Sequence, residues 1–278
     1  MILQVIGAFV RAALVMLMIS TPALLVPGVS PEAQDVVATI GFCAAAIVFI
    51  EYAARYPTLI EFRYAPPFNR MRFLSLFVNV FLLSAMFRGL SEASAITELI
   101  TAVGVLIGRI IDFPFSPVGL ISLMLPPDAS LGQVELLRAS AGLSYFSSLI
   151  MMAGFAIMLR VRDWPLKAGA FNMWVNLPNF DPQPGADIVA ILQQDARVNI
   201  MLGLSLPFVA PLFATVAAEL FVPYALANPQ TMIWTVALWA GIPAGMIMRG
   251  LALGRIAEIL DRQRKRARED AAEDLATA

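Results

Sequence analysis

Few residues in this chain are equipped for chemistry, and most of those lie inside or beside long apolar runs. Arg11 interrupts the run from residue 2 to residue 26, about 12 Å from its start at the helical rise of roughly 1.5 Å per residue. Glu51 stands near the end of the second run and is the acid nearest to Arg11 in depth. Glu219 stands at the far end of a later run, too distant to pair with Arg11. Charge inside a membrane span is costly, so these three are candidate functional residues. Arg11 has two readings. It contacts a substrate or an acid on another span, or it snorkels to the headgroups and needs no partner; the second is preferred. Asp35, Glu135 and Arg138 fall near span ends and read as solvated.

Three prolines complete the candidate set. Pro207 and Pro211 lie four apart in Leu206-Pro-Phe-Val-Ala-Pro-Leu212, and Pro243 lies mid-run in Gly241-Ile-Pro-Ala-Gly245. Each removes a helix hydrogen bond and favours a kink. Broken helices in adjacent spans point to transport sites, although membrane helices also tolerate proline.

Other chemistries are excluded by residue type. The chain has no histidine. That removes His-assisted nucleophiles, imidazole-ligated haem and His-based zinc sites. With one cysteine, Cys43, thiolate zinc and iron–sulfur clusters go too. Cys43 reads as a small buried hydrophobe. Neither phosphate-binding glycine motif, GxxxxGK[ST] or GxGxxG, occurs. No two acids lie deep at matched depth in neighbouring runs. The expectation is no catalytic residue, no metal, no cofactor and no enzymatic activity.

These residues must be held by helices in lipid. Of 278 residues, 59% are hydrophobic and 14% charged, against about 25% charged in soluble domains. The mean hydropathy is +0.78. Apolar runs near 20 residues recur, each long enough to cross a hydrocarbon slab of about 30 Å as a helix. The alternating segments of a barrel are absent. The fold expected is all-α, a polytopic transmembrane helix bundle over residues 1–260. Its spans fall at about 2–26, 33–53, 71–90, 139–159, 198–220 and 231–253, and the first reads as uncleaved. Ser30 followed by Pro31 is a helix-start signal for the second. Residues 91–138 are amphipathic and then proline-rich, and read as an interfacial or re-entrant segment. Residues 160–197 form a polar loop, and residues 261–278 a charged tail.

Arginine and lysine collect on the cytoplasmic side of short loops. Four lie in 52–72, four in 160–197 and seven from 249 onward, fifteen against Arg88, Arg109 and Arg138 on the other side. This pattern needs 91–138 to begin and end on one face, and it places both termini in the cytoplasm. The bias of 17 Arg to two Lys, with abundant Ala, points to a GC-rich bacterium and so to the inner membrane. Net charge is −1, which argues against a nucleic-acid partner.

The expected partners are the bilayer and a protein. A protein would dock on the 160–197 loop, where Phe171, Met173, Trp174, Val175 and Leu177 look interfacial, or on the last span. Gly241, Gly245, Gly250 and Gly254 make two GxxxG pairs there, which pack inside the bundle or against another chain. One resemblance covers only some 25 residues. Gln193-Gln-Asp-Ala-Arg197 ahead of Leu206-Pro207 is similar in placement to the coupling helix of ABC permeases. The family's Glu-Ala-Ala start and glycine are replaced by Ile188-Val-Ala and Gln194, so membership is not assigned. The leading expectation is a subunit or assembly factor of a membrane complex. The alternative is a small transporter or ABC-type permease subunit working through the last two spans.

Overall fold

The computed structural model describes residues 2–56, 58–161, 164–165, 172–178, 180, 182, 185–218 and 228–277. Among them there are helices and no strands. Six helices are long and apolar enough to cross a membrane: α1 (Ile2–Leu25), α2 (Pro31–Ala53), α3 (Phe68–Gly89), α6 (Leu131–Val161), α8 (Ile188–Ala218) and α9 (Pro229–Thr277). Between α3 and α6 lie α4 (Ala95–Ile110), α5 (Pro117–Ile121) and a 3-10 turn, Ser122–Met124; α7 (Met173–Asn176) is a single turn. The chain is thus a multi-pass helical membrane protein.

Helix starts follow local chemistry. The Ser30 hydroxyl accepts from Ala33 N–H at 3.2 Å, with Pro31 in the first turn. Gly28, at φ 79°, takes the left-handed conformation that turns α1 into α2. Ser94 and Thr97 form a reciprocal capping box at the start of α4.

α4 has 16 residues and stays at one end of the bundle. Thr97 fits beside Gly89, the last residue of α3. A Cβ at Gly142 of α6 would come within 2.5 Å of Gly108 Cα, so α4 and α6 cross almost backbone to backbone. Ile96, Leu99, Leu106 and Ile110 face outward. The Asp112–Arg138 ion pair, 3.1 Å, ties the end of this segment to α6. α3 therefore ends, and α6 begins, on the same face.

The interior has two large apolar clusters and a small third made by Met86, Ala139 and Leu143. One large cluster gathers Val80, Leu83, Phe87, Ile121, Leu137, Ile233 and Trp239 at the α4 end. The other gathers Phe62, Phe68, Phe155, Leu192, Met248 and Ile256 at the opposite end. α8 and α9 form the most extensive helix pair. Gly203 and Gly250 permit it, because a Cβ at either would meet a carbonyl of the other helix at 2.8 and 2.7 Å. The α1–α2 hairpin is peripheral, and among the described helices α2 packs to any extent only on α1.

Candidate functional site

Between the two large clusters the bundle has a polar waist. On α3 it comprises Ser75 and Asn79; on α6 it comprises Ser144, Ser147 and Ser148. Asn79 is fully buried. Its amide donates to Ser148 Oγ at 2.8 Å, and its carbonyl oxygen accepts a short bond from Ser147. An amide paired in this way holds two helices together where water cannot compete. Ser75 and Ser144 are buried, with hydroxyl oxygens that have no hydrogen-bond partner among the described residues.

From the waist to the nearer end of the bundle, the acids and bases become ordered. Glu51, at the end of α2, does not pair with Arg11. One carboxylate oxygen accepts from the Thr58 hydroxyl, and the other from the N–H groups of Thr58, Leu59 and Ile60 at 3.0, 2.9 and 3.2 Å. Arg63 reaches back to the carbonyls of Glu51 and Tyr52 at 2.6 and 2.9 Å, serving groups that α2 leaves unpaired at its end. The loop from 58 to 67 is pinned on its other side as well. Phe62 N–H donates to Asn176 O, Tyr64 N–H to Asn176 Oδ1, and the Trp164 indole N–H to Ala65 O. Asn176 and Leu177 are buried, so this part of the 160–197 connection faces the bundle rather than the headgroups.

Arg11 folds back toward the start of α1. Its guanidinium donates to Gly7 O at 2.6 Å and lies 4.6 Å over the Tyr52 ring. Gly7 makes this possible, since a Cβ there would come within 2.9 Å of Arg11 Nη1. The guanidinium thus has a backbone carbonyl and an aromatic ring as partners rather than an acid.

The last basic pair is Arg72 and Arg249. Glu61 accepts from Arg249 Nε and Nη2 at 2.6 and 2.7 Å, a two-point pair that links the loop to α9. Arg72, one turn into α3, has no carboxylate within ion-pair distance among the described residues. It projects into a groove between α3 and α9 of about 310 Å³, lined by Phe73, Ser75, Leu76, Leu238, Gly241 and Gly245 among others. Gly241 faces Leu76 and Gly245 faces Arg72, whereas Gly250 and Gly254 face Ala196 of α8. The four glycines of the last span therefore serve two different neighbours within the chain.

The prolines are buried and sit in unbroken helices. Pro211 has no N–H for the carbonyl of Pro207, four residues back. Trp239 of α9 supplies the missing donor, its indole N–H lying 3.1 Å from Pro207 O. Glu219 lies outside the described residues, as do Phe171 and the side chain of Trp174.

Sequence reasoning missed three features. Ser140, Ser144 and Ser148 repeat every fourth residue on α6 and mark its buried polar face. Gly104 and Gly108, also four apart, mark the close crossing of α4. Both spacings were readable. That Arg72 lacks an ion pair among the described residues was not, because it depends on which base Glu61 selects.

The fold and its polar waist define a polytopic α-helical membrane protein. Beyond that class, no protein-family model, curated protein or solved structure matches the chain.

Proposed function

We propose that the chain is a non-enzymatic bacterial inner-membrane protein, with both termini in the cytoplasm, acting as a subunit or assembly factor of a larger complex. The observation that carries this reading is the far end of α9. The helix continues to Thr277, and residues 262–275 are exposed on every side. Pairs such as Lys265–Asp261 and Arg262–Glu258 support it along its own length. A helix polar all round, held to its own bundle near its base by the Arg264–Asp187 pair and exposed beyond it, is suited to bridging to another molecule. The clustering of arginine at this end supports the orientation. The absence of histidine supports a role without catalysis.

The transporter alternative draws less support. Its three prolines lie buried within continuous helices, and the carbonyl freed by Pro211 is already bonded to Trp239.

The test is purification of the full chain in mild detergent, beside a variant ending at residue 260. The full chain is expected to carry a stoichiometric partner, and the shortened chain to lose it while remaining in the membrane fraction. A lone monomer from both, by light scattering and mass analysis, would remove the basis of the reading.

A further inference from the structure

We propose that the groove between α3 and α9 binds one anionic phospholipid, with Arg72 on its phosphate and an acyl chain along Leu76, Leu238 and Ile242. This goes beyond the subunit reading and does not depend on it.

Three observations converge. The first is charge. Arg72 and Arg249 both line the groove. Glu61 engages Arg249 through two hydrogen bonds and forms no ion pair with Arg72 among the described residues. Glu61 acts on Arg72 and Asp195 on Arg249 at longer range, but neither forms an ion pair with Arg72 among the described residues, which leaves its guanidinium donors for a ligand. A guanidinium offers phosphate several donors in a fixed plane, which suits it to this ligand better than an ammonium group.

The second is an unused donor. Ser75 is 4% exposed, lines the same groove and has a hydroxyl without a hydrogen-bond partner among the described residues. It lies three residues beyond Arg72, about one helical turn deeper. That is where the glycerol ester oxygens of a lipid would follow its phosphate. A buried hydroxyl left unpaired costs free energy, and a ligand oxygen would recover it.

The third is shape. Beyond Ser75 the groove is apolar, and Leu238 and Ile242 on its rim are 38% and 53% exposed. Gly241 and Gly245 keep its wall open: a Cβ at Gly241 would stand 3.2 Å from Leu76, and one at Gly245 3.5 Å from Arg72 Nε. Its volume lies at the lower end of ligand sites, about 300–1,000 Å³. Arg72 lies one turn from the start of its span, at headgroup depth, with the apolar part running inward. A soluble anion would have no use for that extension.

Native mass spectrometry of the full chain in detergent tests this, with phosphatidylglycerol and phosphatidylcholine as probes. One phosphatidylglycerol should be retained per chain, about tenfold more strongly than phosphatidylcholine. Arg72→Gln should abolish the preference, while Arg70→Gln, an exposed neighbour, should keep it. Gly241→Leu should weaken both lipids with Arg72 intact. Size-exclusion profiles matching the parent establish that the variants fold, and if one fails, the other decides. Retained preference in a folded Arg72→Gln chain would overturn the proposal. So would displacement of the lipid by inorganic phosphate, which would mark a free-anion site, or undiminished binding in Gly241→Leu.

Discussion

Glu51 offers two carboxylate oxygens, and both are committed to the three residues 58–60 rather than to a cation. Hydrogen bonds to a charged acceptor contribute about 1.5–3 kcal/mol each, and here several stand or fall together. Glu51→Ala should therefore cost about 3 kcal/mol, read by denaturant unfolding in micelles, and should expose residues 55–60 to protease. Glu51→Gln should cost less. An Ala variant as stable and as protease-resistant as the parent would show that these residues need no anchor. Asn79 sets a smaller scale. Side-chain hydrogen bonds between membrane helices average about 0.6 kcal/mol and reach about 1.7, so Asn79→Ala should cost about 1 kcal/mol in the same assay. These roles were only partly legible in the sequence. The place of Glu51 at the end of α2 was readable. The partners of Glu51 were not, because backbone donors of a loop leave no trace in residue type.

At the scale of elements, proline and glycine decide how close helices come. Trp239 and Pro211 form a testable unit. Trp239→Phe should leave Pro207 O unpaired and cost about 1–3 kcal/mol. In the chain that also carries Pro211→Ala, the helix regains its own N–H, and the Trp239→Phe penalty should shrink by more than half. Strict additivity in this double-mutant cycle would mean that the indole does not serve the carbonyl. The crossing of α4 and α6 gives a second test. Gly142→Leu places side-chain atoms where Gly108 backbone lies, so α4 should detach, and a cysteine at Val105 should become reactive to a membrane-impermeant thiol reagent. Unchanged labelling would argue that the crossing is looser. The sequence announced six spans through hydropathy and the start of α2 through Ser30 and Pro31. It did not announce which proline carbonyl a tryptophan would meet, since that requires two spans to be packed first.

For the whole molecule, the decisive fact is that the three basic segments meet at one end. Glu61 joins Arg249, Asn176 joins the 62–64 backbone, and Asp187 joins Arg264 at 3.1 Å. Arginine counting anticipated this, because it required residues 91–138 to return to the face they left. Reporter fusions should place residues 65 and 278 in the cytoplasm and residue 128 outside; the reverse would invert the orientation. The α9 extension is tethered by the last of these contacts. Hydrogen bonds from Arg264, and then the Val189 N–H, hold the Asp187 carboxyl below its usual 3.8. A carboxyl lowered in the folded state contributes above its ordinary value and loses that contribution as pH falls through the lowered one. A spin-label distance across residues 190 and 268 should broaden only below about pH 4, and Asp187→Asn should make it broad at every pH. With no histidine in the chain, no imidazole adds a transition near neutrality.

The contact between Trp239 and the Pro207 carbonyl also makes the α8–α9 seam optically visible. An indole shielded from water and bonded at its nitrogen emits to the blue of a hydrated one. Substituting phenylalanine for the other three tryptophans would leave a chain whose colour of fluorescence records whether that seam is shut. Reconstitution, ligand addition or heating could then be followed without attaching a dye.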